Sequence, residues 1–233
     1  MSMPNLTLPS GIQSLDELFD GGLPFGKITH VFGEAASGKT TLALQFVSSA
    51  YTSHIKSVIV YTEPSSPIER LEQITGRRYE DLQDMVLLLV PKDFQQQGIV
   101  VDDLELYAAD RRLIVVDTLT RLYRVALSDK ESTYAAHREL NRQVGMLKGL
   151  ARYHGTAVLV LNQVRARMGD ENDFEPVARS IMEYWEDLSV KMHMGALPGE
   201  RIIERLIPKT NNCTRRLALT SRGLQDMADA YKQ

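Results

Sequence analysis

Residues Gly33-Glu34-Ala35-Ala36-Ser37-Gly38-Lys39-Thr40 satisfy the pattern G-x-x-x-x-G-K-[ST] at every fixed position. The chemistry open to such a segment is the cradling of a polyphosphate. Its glycines permit backbone conformations and close approach that a side chain would block, so successive N–H groups can point at phosphate oxygens. Lys39 would act as a point charge on the β- and γ-phosphates, and the Thr40 hydroxyl suits the shell of a Mg²⁺ ion that keeps several waters. With Thr41 at the start of a helix, whose N-terminus adds to the attraction, Gly33 to Thr41 form the predicted nucleotide-binding segment.

Three residues farther along could complete such a site. Asp117 closes the apolar run Leu113-Ile114-Val115-Val116, where a carboxylate could hold the Mg²⁺ shell through water or simply cap the strand end beside Thr118. Glu63 follows Ser57–Thr62 and could orient an attacking water and take its proton, or act as a turn residue before Pro64. Gln163 follows Thr156–Leu161, where its amide could sense a γ-phosphate or be an ordinary surface amide.

The elements that would position these residues read as strands alternating with helices. Ile28–Phe32 is a buried strand entering the glycine loop, and Thr41–Val47 reads as the first turns of the helix leaving it. Upstream, Ser14 reads as the cap of a small helix, with Glu17 as its capping-box partner and Gly21-Gly22 ending it. Pro67 starts a helix that Gly76 stops, Met85–Val90 reads as a short buried strand, and a helical stretch runs near Val101 to Ala109. Leu140, Val144, Leu147 and Ala151 recur at helical spacing within a long amphipathic helix from Ser132 to His154. The segments Asp187–Met194, Arg201–Ile207 and Arg215–Thr220 read as an antiparallel finish. The whole predicts an α/β fold with a mostly parallel central sheet flanked by helices.

Composition narrows the function classes. Hydrophobic content of 43% with 24% charged residues is ordinary for a globular chain, and no apolar run reaches the roughly 20 residues of a membrane span. The N-terminus has no signal-peptide pattern and the single Cys213 can form no internal disulfide, which together predict a cytoplasmic protein. Scattered histidines give no zinc pattern. A net charge of −3 means that any nucleic-acid affinity must come from a local basic patch. Two polar segments, 124–132 and 164–178, are longer than a compact domain needs. Arg121, Arg124 and Lys130 flank or occupy the first, and Arg165 and Arg167 open the second. These cations could contact a single-stranded DNA backbone while Tyr123 or Tyr134 stack on bases. Asp170, Glu171, Asp173 and Glu175 in the second segment leave a solvated mixed-charge loop as the alternative.

Taken together, these residues resemble the core of the RecA/RadA recombinase superfamily, closest to the archaeal RadB-type paralogues. The resemblance is carried by Pro9–Leu18, the loop Gly33–Thr40, Tyr61-Thr62-Glu63 with Glu69-Arg70-Leu71, Leu113–Asp117 and Val160–Val164, and it spans nearly the whole chain. It implies a single RecA-like P-loop ATPase domain over residues 1–233, with ATP and Mg²⁺ as ligands. It further implies Glu63 as the catalytic glutamate, Gln163 as a switch amide, and two DNA-binding segments after Tyr123 and after Gln163. Lys209, in Pro208-Lys209-Thr210-Asn211, is placed like the basic residue that some relatives insert into a neighbour's nucleotide site.

Departures from the family pattern shape the expected role. Only a short segment without an aromatic precedes the core, so the aromatic polymerisation anchor of longer relatives has no counterpart, and filament formation by that route is not expected. Phe174-Glu175-Pro176-Val177-Ala178-Arg179 stands where relatives carry a glycine pair. The resulting expectation is a slow ATPase accessory to DNA repair and recombination, binding single-stranded DNA or a recombinase partner, with a homo-oligomer still open. The alternative is a nucleotide-gated signalling ATPase of the circadian-clock type acting on protein partners, which the net acidic charge suits.

Overall fold

A computed structural model of the chain describes residues 6–127, 130–167, 170–208 and 213–230. β1 (Thr7–Leu8) and β2 (Leu23–Pro24) form a small antiparallel pair around α1 (Gln13–Leu18). β3 (Ile28–Gly33), α2 (Lys39–Thr52), β4 (Lys56–Tyr61), α3 (Ile68–Thr75), α4 (Tyr79–Leu82) and β5 (Val86–Leu89) follow. Next come α5 (Phe94–Ala108), β6 (Arg111–Asp117), α6 (Arg121–Val125), α7 (Lys130–His154) and β7 (Ala157–Arg167). β8 (Asp170–Pro176), α8 (Arg179–Trp185), β9 (Leu188–Met194), β10 (Glu200–Ile207), β11 (Thr214–Thr220), β12 (Gly223–Asp226) and α9 (Met227–Ala230) complete the described chain.

The main sheet runs β12-β11-β10-β9-β3-β7-β6-β4-β5, with β8 paired to β7. From β9 to β5 along this order every pairing is parallel, and β10, β11 and β12 are added antiparallel. Central strands are apolar on both sides because helices cover both faces. Along β6, Leu113 and Val115 face a core shared with Leu42, Phe46 and Val47 of α2, while Ile114 and Val116 face Val101, Leu104, Leu140, Val144 and Leu147 of α5 and α7. That split follows from the two-residue alternation of a strand. Each such aliphatic side chain, fully buried, is worth about 1.5–3 kcal/mol. Among the described residues no helix is long and apolar enough to cross a membrane.

Several expectations need correction. Ser14 does not cap α1: the helix begins one residue earlier, its N-cap is Ile12, and Ser14 is inside the first turn donating its hydroxyl to Asp226. The segment before the helix is held instead by the Asp16 carboxylate, which accepts from the Ser10 and Gly11 N–H groups at 2.6 and 3.2 Å. α1 ends at Leu18, and Gly22 is required for a different reason, close approach to β1. With its φ at 127°, a Cβ there would lie 2.1 Å from the Leu8 carbonyl oxygen. β5 is the sheet edge, so Leu87, Leu88 and Leu89 are half-buried where a fully buried strand was predicted. β9, read as part of an antiparallel finish, runs parallel to β3 and antiparallel only to β10. The helical crossover through α8 returns the chain in the direction of β3 before β9 begins, as a parallel pairing requires. β10 is tied back to the N-terminal helix by Arg205, 3% exposed, which donates to the Leu18 carbonyl and to Asp20 at 2.9 and 2.7 Å.

Candidate functional site

β3, β4 and β6 end at the same edge, and parallel register sets their ends beside Leu161–Gln163 of β7, which runs on past them. Gly33 pairs with Gln163, and Tyr61 with Asp117, which in turn pairs with Leu161. The edge at which the strands point their carboxyl ends therefore collects the segment after β3, Glu63 after β4, Asp117 of β6 and Gln163 of β7, as ligand crevices in such sheets do.

Between β3 and α2 the phosphate-type loop turns through two left-handed residues, Ala36 at φ 61° and Gly38 at φ 97°. Gly33 is fixed by packing: a Cβ there would stand 2.0 Å from the Met192 carbonyl of β9. Ser37 is buried, while Glu34, Ala35 and Ala36 form the outer turn, with Ser37 N donating to the Glu34 carbonyl at 3.3 Å. Lys39 begins α2, only 8% exposed, and its ammonium donates to the Gly33 and Glu34 carbonyls at 2.9 and 2.6 Å and to Ser37 Oγ at 3.3 Å. Burial lowers its pKa, against the upward pull of the Asp117, Glu63 and Glu34 carboxylates. Thr41 is buried and its hydroxyl accepts from Arg70 Nε at 3.3 Å, so its side chain is committed to α3 and away from the loop.

Thr40 and Asp117 meet directly, Thr40 Oγ1 donating to Asp117 Oδ2 at 2.7 Å. Asp117 is 2% exposed and its Oδ1 has no hydrogen-bond partner. Burial pushes its carboxyl up to about 6; the Thr40 hydrogen bond opposes this, Glu63 adds to it, and Lys39 opposes it. A buried, unsatisfied carboxylate oxygen beside a threonine hydroxyl is an all-oxygen donor set that suits a hydrated Mg²⁺, whose waters could satisfy Oδ1. The fold bears the cost of keeping that charge without a cation. A carboxyl raised from 3.8 to about 6 contributes stability below pH 3.8 that is lost as pH rises through 6, about 3 kcal/mol at neutral pH. Asp117→Asn is therefore expected to raise the Tm at pH 7 in Mg²⁺-free buffer, and the gain should vanish near pH 4. Thermal unfolding at both pH values checks this, and an equal gain at each would refute the charge explanation.

Glu63 is held from three sides. Its Oε1 accepts from Thr118 Oγ1 and from Gln163 Nε2, each at 3.1 Å, and its Oε2 lies 3.7 Å from Arg121 Nε. Arg121 also donates to the Thr62 carbonyl, so this cation, expected on DNA, is turned into the site. Gln163 uses both ends of its amide, since its Oε1 accepts from Arg124 Nη1 at 3.0 Å. The group can fix a water and a proton-accepting oxygen at one point of the edge while Arg124 remains partly in solvent.

The described parts of the two long polar segments carry regular secondary structure. Residues 121–125 form α6, and Tyr123 is buried edge-on against Phe94 with ring centroids 5.8 Å apart, so it offers no face to a base. Tyr134 is exposed. In the second segment the end of β7 pairs antiparallel with β8, and Arg165 lies opposite Glu175 and pairs with it at 2.8 Å. Opposite charges at a cross-strand position stabilise that pairing, which gives Glu175 a structural role. By backbone Lys130 opens α7 and Arg167 ends β7; their side chains, and Lys209 entirely, lie outside the described residues. Sequence reasoning missed Arg201 of β10, whose Nε is buried without a partner and lies 3.6 Å from where a Cβ of Gly38 would sit. In an alternating strand nothing distinguishes it from a surface arginine.

The Rad51 family pattern matches residues 3–227. The "DNA repair and recombination protein RadB" of Thermococcus gammatolerans is 33% identical over 228 residues, covering 95% of this chain and 100% of the relative. That of Methanococcoides burtonii is 33% identical over 178 residues, covering 76% and 78%. That of Methanococcus maripaludis is 26% identical over 219 residues, covering 93% and 100%.

Proposed function

Because this chain belongs to the Rad51 family and is of the RadB type, we propose that it is an ATP-binding accessory protein of DNA repair and recombination with slow, Mg²⁺-dependent hydrolysis. The observation that carries this is the joint placement of Lys39, the Thr40–Asp117 pair and the Glu63–Gln163 pair along one sheet edge. Backbone N–H groups from Glu34 to Thr41 bind the phosphates, and Lys39 exchanges its loop carbonyls for phosphate oxygens. Thr40 and Asp117 would hold a Mg²⁺ ion, which would supply neutralisation of the charge developing on the phosphates. Glu63 orients the attacking water and accepts its proton, while Gln163 and Thr118 keep its Oε1 aimed. Slow turnover fits a base already tied to an arginine and an amide.

The second part of the proposal is single-stranded DNA at Arg124 and Arg165, with Lys130 and Arg167 alongside, and recombinase or other repair proteins as partners. Arg121, engaged with Glu63, is assigned to the nucleotide site instead. ATP turnover at low salt with and without single-stranded DNA, with Lys39→Ala as control, tests both parts. Lys39-dependent stimulation supports them, whereas Lys39-dependent turnover indifferent to DNA removes the DNA assignment. The double variant Arg124→Ala, Arg165→Ala is expected to bind single-stranded DNA at least tenfold more weakly in fluorescence anisotropy. Its log Kd against log salt should flatten by about 1.4, two phosphate contacts at roughly 0.7 each. An unchanged slope would sink the loop assignment.

A further inference from the structure

On the face of β3 opposite α2 lies a cavity of about 380 Å³ that plays no part in the nucleotide site. Alternation along β3 puts Val31 against α2, whereas His30 and Phe32 line the cavity together with residues of β8, α8, β9 and β10. His30 is 1% exposed and its Nδ1 is 2.6 Å from Glu186 Oε2, itself buried. The opposite ring nitrogen, Nε2, is buried and has no hydrogen-bond partner. A histidine this enclosed leaves one nitrogen unsatisfied only at a cost, which a ligand group could remove.

The surroundings decide which group. In the tautomer that donates Nδ1–H to the Glu186 carboxylate, Nε2 carries a lone pair and accepts. Four glutamates line the cavity, namely Glu175, Glu183, Glu186 and Glu204, against Arg179 and Lys191 as cations. Arg179 is engaged with Glu183 at 2.6 Å and Glu175 at 3.8 Å. Lys191 and Glu204 are cross-strand neighbours, yet among the described residues neither makes an ion pair. Glu175 is also paired with Arg165 at 2.8 Å, and with that cation counted the four carboxylates still outnumber Arg165, Arg179 and Lys191, so the surroundings are net negative, with apolar walls from Phe32, Phe174, Met182 and Leu206. Among the described residues no three His, Cys, Asp or Glu groups are placed to hold a metal ion, which leaves an organic cation.

We propose that this cavity is a binding site for a primary ammonium or guanidinium group on an aliphatic stem, donating to His30 Nε2 and paired with Glu204 while its stem lies on the apolar walls. The group can come from a free polyamine or from a lysine or arginine side chain of a protein partner. The site stands independently of the nucleotide reading and is tested without nucleotide.

The full-length protein, labelled with ¹⁵N at its histidines, would be titrated with spermidine, with a lysine-containing peptide and with acetate, following the His30 ring nitrogens. A saturable Nε2 shift with spermidine or the peptide is expected; the one that binds more tightly identifies the source. Glu204→Gln, half-buried and outside the nucleotide site, should weaken that binding at least tenfold while leaving the Tm unchanged. His30→Gln should abolish it; should that variant fail to fold, Glu204→Gln alone decides. Acetate shifting Nε2 in place of the cations, no saturable shift with either cation, or binding indifferent to Glu204→Gln would each overturn the proposal.

Discussion

Glu63→Gln is expected to lower Mg²⁺-ATP turnover by roughly a hundred- to ten-thousandfold, the range a positioned general base supplies. Glutamine keeps the size and one acceptor oxygen, so the bonds from Thr118 and Gln163 can persist. It cannot take a proton at the operating pH, and it presents an NH₂ group toward Arg121 where the native carboxylate oxygen lies at 3.7 Å. Nucleotide affinity should change little, because Glu63 belongs to the water's side of the site and not to the phosphate loop. Steady-state phosphate release and equilibrium binding of a fluorescent ATP analogue separate the two effects. Turnover at the native rate in the variant would remove Glu63 as the base.

Lys39→Ala is expected to act on the other quantity. A charged hydrogen bond to phosphate is worth about 1.5–3 kcal/mol, hence a roughly ten- to hundredfold loss of nucleotide affinity. The fold should survive, since α2 is held by Leu42, Phe46 and Val47 in the core and Lys39 stands only at its first residue. Thermal unfolding serves as the control for that. An intact variant with native affinity would show that the ammonium remains with the Gly33 and Glu34 carbonyls when nucleotide binds.

The parts of the site legible in the sequence are those set by short-range pattern. A glycine loop between an apolar strand and a helix, and polar residues ending apolar runs at Glu63, Asp117 and Gln163, follow from local periodicity and from the rule that parallel strands gather their ends. What was illegible depends on long-range pairing. The direction of β9 depends on the path through α8, and the β7–β8 pairing on a cross-strand match between Arg165 and Glu175 that a loop-like composition conceals. The same holds for Arg121, Tyr123 and Arg201. Nothing local in the sequence marks their surroundings, and only the meeting of Arg121 with Glu63, of Tyr123 with Phe94 and of Arg201 with the backbone at Gly38 shows where they lie. At Ser14, a capping pattern two residues out of phase with the helix was outweighed by the Asp16 carboxylate holding the segment before it.

The Gln163 amide has a consequence beyond chemistry at one edge. Its nitrogen is spent on Glu63 and its oxygen on Arg124, so a flip of the amide breaks both bonds at once. Any ligand that draws Arg124 away frees the oxygen and changes the energy of holding Glu63 in place. By thermodynamic reciprocity, whatever factor that ligand imposes on nucleotide affinity, nucleotide must impose on the ligand. A single planar group spanning two side chains thus ties an exposed surface to a half-buried carboxylate, and the strength of that tie is a coupling energy that a double-mutant cycle on Arg124 and Glu63 would read directly.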